Sequence, residues 1–287
     1  MKLSGTTPGR LYVVATPIGN LEDVTLRALR TLKEVDVIAA EDTRQTRKLL
    51  AHYGISTSLT SYHSHNAMEK APVLAHKMKE GLSVALVSDA GTPGISDPGA
   101  VLVSLCAAEG ITVVPIPGPS AVITALPASG LPCDRFVFEG FLPVRAGERK
   151  KRIEAIKQEE KTLVFYEAPH RLLKVLKEMH EVLGDRKVAL CRELTKLHEE
   201  ITTETLSAMS ARLEGKTVKG EITLVVAGAT SGGTGLLDTE KDEKALLAAL
   251  KKKIKSGMDK KEAIREVARE TGASRNAVYD AALQLKS

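Results

Sequence analysis

Ser88-Asp89-Ala90-Gly91-Thr92-Pro93-Gly94-Ile95-Ser96-Asp97-Pro98-Gly99 comes directly after the apolar run Val84-Ala85-Leu86-Val87. A run of that kind reads as a buried strand, and its continuation as an acidic, glycine-rich turn. The turn opens a helix: Asp97 is placed to cap the first backbone N–H groups, Pro98 suits the first helical position, and apolar Val101, Leu102 and Leu105 come next. In open α/β sheets ligands sit beyond the carboxyl ends of the strands, where glycines let backbone approach and a carboxylate fixes hydroxyls or a cation. The stretch therefore reads as a site for a small polar ligand. An ordinary strand-to-helix loop is the alternative, but it needs fewer glycines, prolines and aspartates than stand here.

Outward from this turn, apolar runs at 11–15, 35–40, 83–88 and 111–115 alternate with helical patterns such as Val24, Leu26, Leu29 and Leu32. The alternation predicts an α/β fold with a largely parallel sheet. Pro115-Ile116-Pro117-Gly118-Pro119-Ser120 breaks the pattern and reads as a hinge. A second α/β set comes next, with strands at 136–141, 162–166, 188–191 and 221–227 and a helix after Pro169 carrying Leu172, Leu173, Val175 and Leu176. Ser231-Gly232-Gly233-Thr234-Gly235 reads as a linker. Beyond it, one apolar stripe (Ala263, Ile264, Val267, Ala268) and another (Ala277, Val278, Ala281, Ala282, Leu285) flank Thr271-Gly272-Ala273-Ser274, a helix-turn-helix pattern. The expected division is 1–117 and 118–230 as two α/β domains, 231–237 as linker and 238–287 as a helical appendage.

With 287 residues, 43% of them hydrophobic and 27% charged, the chain can bury a substantial core. No apolar run reaches membrane-spanning length, and the N-terminal stretch lacks the apolar region of a signal peptide. Cys106, Cys133 and Cys191 have no metal-ligand spacing. A cytoplasmic protein without disulfide, metal or membrane anchor is expected. The net charge of +5 is unevenly spread. One basic cluster is Arg145, Arg149, Lys150, Lys151 and Arg152; another is Lys251, Lys252, Lys253, Lys255, Lys260 and Lys261. Each reads either as a phosphate-attracting surface or as a solvated helix face. With no Trp and 3% aromatic residues, any nucleic acid would be held by backbone and shape rather than by a stacking platform.

Neither a P-loop nor a dinucleotide fingerprint is present, since Thr16-Pro17-Ile18-Gly19-Asn20 stands after the first strand instead. The motifs that do occur stand in a fixed order. They are residues 11–23, Ala40-Glu41-Asp42-Thr43-Arg44, the turn 88–99, Pro117-Gly118-Pro119-Ser120-Ala121, Tyr166-Glu167-Ala168-Pro169-His170-Arg171 and Gly220-Glu221-Ile222-Thr223-Leu224-Val225-Val226. Together they resemble the tetrapyrrole-methylase superfamily of S-adenosylmethionine-dependent enzymes. More narrowly they resemble its branch that methylates the ribose 2′-hydroxyl of a cytidine in 16S ribosomal RNA of the small subunit. The resemblance runs over nearly the whole chain.

It implies a cofactor cleft between two α/β domains and, commonly, a homodimer. By this resemblance Pro17 borders the methionine end, and Asp89, Ala90, Gly91 and Thr92 line the cofactor, with Ile95 and Ser96 extending the wall. Ser120 and Ala121 reach it from beyond the hinge, and Tyr166 and Glu221 touch the adenosine end. A ribose hydroxyl is a weak nucleophile that a positioned base would help. Asp42 and Glu41 come after a strand, and Asp42 reads equally as that base and as a helix cap. His65, in Ser61-Tyr62-His63-Ser64-His65-Asn66, is a further candidate base. Arg44, Arg47 and Arg171, with Lys251, Lys252 and Lys253, are the expected phosphate contacts, whereas Arg192 and Glu193 read as an ion pair. Methylation of a small molecule and a noncatalytic RNA-binding assembly factor are the competing readings. The lysine-rich appendage speaks against the first, the intact turn against the second.

Overall fold

The computed structural model describes residues 9–229, 239–271 and 275–283. The expected linker 231–237, residues 272–274, Leu285 and the side chain of Ala277 lie outside the described residues. The chain divides into two compact units, one holding residues 1–157 and 161–227, the other 158–160 and 228–287.

The first unit contains both α/β halves. Its first sheet is built from β1 (Leu11–Val14), β2 (Val37–Ala40), β3 (Ser58–Ser61), β4 (Val84–Val87) and β5 (Val113–Ile116), in the order β3-β2-β4-β1-β5 and parallel throughout. Side chains alternate across it. Leu11, Ala39 and Leu86 pack on α3 (Ala67–Lys79) and α4 (Gly99–Ala108). Val14, Ile38 and Ala85 pack on α1 (Leu26–Glu34) and on Leu50 of α2 (Thr43–His52). All strands point the same way, so the segments after β1, β2, β4 and β5 gather at one edge, where a doubly wound sheet places its ligands.

The second sheet comprises β6 (Phe136–Phe141), β7 (Thr162–Glu167), β8 (Lys187–Arg192), β9 (Glu200–Thr205) and β10 (Ile222–Val226), in the order β6-β7-β10-β8-β9. The expectation of largely parallel pairing fails here, because only β6 and β7 run parallel. β8 reaches β9 through residues 193–199, too short for the crossover that a parallel pair requires. One face packs on α6 (Ala146–Ala155), α7 (Leu172–Leu183) and α8 (Leu206–Leu213), burying Phe165 completely, a contribution of about 2–3 kcal/mol. The other face receives α5 (Ala121–Ala128), together with Ile18 from the loop after β1. Pro117-Gly118-Pro119 is thus the point where the chain passes from one sheet to the other.

The helix after the turn begins at Gly99, one residue later than expected, with Pro98 at its cap position. Asp97 still serves its start, accepting from the N–H of Gly99 (2.9 Å) and of Gly94 (2.6 Å). Of the basic cluster at α6, Arg149 is tied inward, while Arg145, Lys150, Lys151 and Arg152 stay exposed. Arg149 is buried, with Nε and Nη2 on Glu178 (2.6 and 2.8 Å) and Nη1 on the Pro143 and Val144 carbonyls, while Arg152 pairs with Glu139 and Lys150 with Glu181. Arg192 and Glu193 do not pair with each other: Arg192 holds Glu200 (2.9 Å) and Glu193 holds Lys196 (2.8 Å).

The second unit contains α9 (Thr239–Lys255), α10 (Lys260–Thr271) and α11 (Arg275–Leu283). It has its own core of Leu246, Leu250, Ala263, Val267, Val278, Ala281 and Ala282. No helix among the described residues is long and apolar enough to cross a membrane.

Candidate active site

The turn after β4 is fastened on three sides. Thr16 and Gly91 exchange backbone hydrogen bonds (2.9 and 3.0 Å), and Thr16 Oγ1 donates to the Ser88 carbonyl (3.2 Å). The Asp42 N–H donates to Asp89 Oδ1 (2.9 Å), while the Asp89 N–H donates to Glu41 (3.3 Å), which locks the ends of β2 and β4 together. Thr92 Oγ1 donates to the Pro119 carbonyl (3.2 Å), tying the turn to the crossing segment. Gly91 and Gly94 have φ of 79° and 89°, and Ser96 adopts 68°, a conformation costly for a residue with a Cβ. Strain of this kind persists only where surrounding contacts impose it.

These anchors shape a cavity of about 450 Å³, within the roughly 300–1,000 Å³ range of small-molecule sites. Asp89, Ala90, Gly91, Thr92, Ile95 and Ser96 line it from the turn, Ser120 and Ala121 from the start of α5, and Tyr166 and Glu221 from the second sheet. The antiparallel register explains this last pair, since Thr223 at the start of β10 lies opposite Tyr166 near the end of β7. Ser120 makes no capping hydrogen bond to its own helix. Pro17 lines an adjoining cavity of about 480 Å³, which shares the wall Ser88-Asp89-Ala90 with the first.

Among the expected proton acceptors, Glu41 lines the main cavity and Asp42 and His65 do not. Burial pushes the Glu41 carboxyl above its ordinary value, opposed by the Asp89 N–H and reinforced by the negative charges of Asp89 and Asp97. Asp42 caps α2 through the Arg44 N–H (2.7 Å) and is gripped by the Arg44 guanidinium, which brings its carboxyl down to about 2. His65 is exposed, its ring edge-on to His63 at 5.9 Å.

The expected phosphate contacts are scattered. Arg44 and Arg47 are exposed on α2. Arg171 is mostly buried behind β7, bound to Glu167 and to the Leu142 carbonyl (2.8 Å). Lys251 and Lys252 are exposed on α9 in the helical unit, and Lys253 pairs there with Glu270. Among the described residues no group of His, Cys, Asp and Glu is arranged to hold a metal ion.

Residues 10–210 match the family Tetrapyrrole (Corrin/Porphyrin) Methylases. The chain belongs to the tetrapyrrole methylases. Residues 240–286 match the RsmI C-terminal HTH domain. Two relatives are named ribosomal RNA small subunit methyltransferase I: that of Synechocystis sp. is 47% identical over 97% of this chain and 99% of its own, and that of Halalkalibacterium halodurans is 48% identical over 95% and 94%. The crystal structure of uroporphyrin-III C-methyltransferase from Thermus thermophilus, complexed with S-adenyl homocysteine, shares the fold. Its TM-score is 0.54 at 21% identity, covering 76% of this chain and 97% of that one.

In this methylase the cavity also has walls that pattern reading missed. Phe141, Leu194 and Cys191 line it from the ends of β6 and β8, and burial raises the Cys191 thiol to about 11. Their signal in sequence is position alone, an apolar residue at or just past a strand end. Lys196 was missed as well; its ammonium bridges Glu193 (2.8 Å) and Glu221 (3.1 Å), and its stem lies where a Cβ on Gly19 would stand.

Proposed function

We propose that this methylase transfers a methyl group from S-adenosylmethionine to the 2′-hydroxyl of a cytidine ribose in 16S ribosomal RNA of the small subunit, working in the cytoplasm as a homodimer. The observation that carries the reading is that residues dispersed from Asp89 to Glu221 line one cavity. The names of the relatives point to ribosomal RNA as the acceptor rather than a tetrapyrrole.

The donor set fits the cofactor. Carboxylates of Glu41, Asp89, Asp97 and Glu221 give the cavity the sign that a sulfonium and an ammonium require, and Ile18, Tyr166 and Phe141 offer apolar surface for a purine. Asp89, Thr92, Ser120, Tyr166 and Glu221 would hold it. When bound, S-adenosylmethionine supplies an electrophilic methyl group with its own leaving group. Most of the acceleration then falls to alignment of the acceptor oxygen, which a pocket fastened on three sides supplies. Glu41 is our assignment for the group that takes the 2′-hydroxyl proton, at a carboxylate oxygen; burial brings its pKa closer to neutrality, where a general base works best. Arg44 and Arg47 would meet phosphates at the rim, and the lysines of α9 would add sequence-independent attraction.

Small subunits lacking the modification, incubated with labelled S-adenosylmethionine and mapped by nuclease digestion, test the proposal. Label on a cytidine ribose of 16S RNA is the expected result. Label on a base, or none with subunits while a small acceptor is methylated, would overturn it.

A further inference from the structure

Glu41 has a neighbour that the chemistry above leaves unused. β2 and β3 are adjacent and parallel, Ala40 stands opposite Ser61, and the Tyr62 N–H donates to the Ala40 carbonyl (2.7 Å). Glu41 and His63 therefore lie just past the ends of neighbouring strands. The His63 backbone N–H donates to Asn66 Oδ1 (2.9 Å), which settles which end of that amide is oxygen. Asn66 Nδ2 then lies 3.4 Å from the Ser61 carbonyl and hydroxyl and 3.3 Å from His63 Nε2. An amide nitrogen only donates, so Nε2 accepts and the neutral ring carries its proton on Nδ1. Nδ1 is buried and has no hydrogen-bond partner among the described residues. Native proteins rarely leave such a donor idle unless a function needs it.

We propose that His63 is the positioning residue of Glu41, its Nδ1–H kept for the Glu41 carboxylate when the ribose is seated, so that the carboxylate is ionised and aimed at the 2′-hydroxyl. The inference rests on Glu41 being the base. Burial opposes the ionisation of Glu41, as do the charges of Asp89 at the end of β4 and Asp97 in the turn before α4; the Asp89 N–H already donates to it (3.3 Å), the cation of Arg44 is engaged by Asp42, and a second N–H donor would tip the balance further towards the carboxylate. An N–H donor directed at a carboxylate stabilises its charged form.

Kinetics and ring-nitrogen NMR on the full chain test this. His63→Ala should lower kcat about tenfold or more, leave KM for subunits and the Kd of S-adenosylmethionine unchanged, and move the acid limb of the kcat profile to higher pH. His63→Asn, which restores an N–H near the Nδ1 position, should recover much of the loss and also covers the case in which the alanine variant folds poorly. On a Glu41→Gln background His63→Ala should cost nothing further. Without any cofactor, the ring should show the Nδ1–H tautomer. Unchanged kcat and pH profile, an additive loss in the double variant, a loss confined to KM, or an Nε2–H tautomer would each overturn the pairing. Absence of methyl transfer by the parent protein to any subunit would instead overturn the function on which it depends.

Discussion

Two carboxylates adjacent in sequence end up in opposite electrostatic conditions. Glu41 is drawn into the cavity and held back from ionising, whereas Asp42 faces its own helix and is held ionised by Arg44. Glu41→Gln should therefore reduce kcat by about 10²-fold or more while S-adenosylmethionine still binds, as read by label transfer beside calorimetry. In the parent, activity should fall as pH drops through a value higher than that of an ordinary glutamate, because burial raises the Glu41 pKa and protonation sets in earlier. Asp42→Ala should act on stability instead. Its folded pKa, about 2, lies below the ordinary 3.8, so its contribution is complete above 3.8 and disappears as pH falls towards 2. The difference in Tm between parent and Asp42→Ala should close over that acid window; a difference that persists below it would disprove the cap. Arg149→Ala should cost far more: it leaves Glu178 and two carbonyls without their buried partner, a loss of about 3–5 kcal/mol that a denaturant midpoint would register.

At the level of elements, the site depends on strand ends brought together by pairing, and this decides how much of it pattern reading reveals. The turn 88–99 announces itself because its composition is excessive for a connection. Parallel β1, β2, β4 and β5 are equally legible, being short apolar runs between helical periods. β3 (Ser-Leu-Thr-Ser) and β9 (Glu-Ile-Thr-Thr-Glu-Thr) are not, since these edge strands are built largely of Ser, Thr and Glu and carry little apolar signal, whereas the edge strand β5 keeps Val113, Val114 and Ile116. Missing β9 also hides the antiparallel course of the second sheet, and with it the reason that Glu221 stands beside Tyr166. Gly220 shows what that pairing needs. Its φ is 94°, and a Cβ there would lie 2.5 Å from the Glu193 side chain, whose carboxylate holds the Glu221 N–H (2.8 Å). Gly220→Ala should displace Glu193 and Glu221 together and weaken cofactor affinity more than global stability, a contrast measurable by calorimetry against thermal unfolding.

For the molecule as a whole, the division into two units sets the division of labour. The α/β unit contains every residue of the acidic cavity. The helical unit has its own core, and Lys251, Lys252, Lys255, Lys260 and Lys261 are exposed on α9 and α10, so cations are abundant where no cavity residue lies. An acidic cavity attracts a cationic cofactor but repels the phosphates of the proposed acceptor, so phosphate contacts have to come from other surfaces, and the exposed lysine cluster of α9 and α10 is one such surface. Removing residues 239–287 should then leave the Kd of S-adenosylmethionine and the unfolding of the α/β unit close to those of the full chain, while subunit affinity falls. The salt dependence identifies the cause. Each lysine–phosphate pair removed lowers the slope of log K against log salt by about 0.7–0.9, so removal of two or more pairs should flatten it by at least about 1.4. If affinity fell with the slope unchanged, the appendage would act through shape rather than charge, and its lysines would be a solvated face.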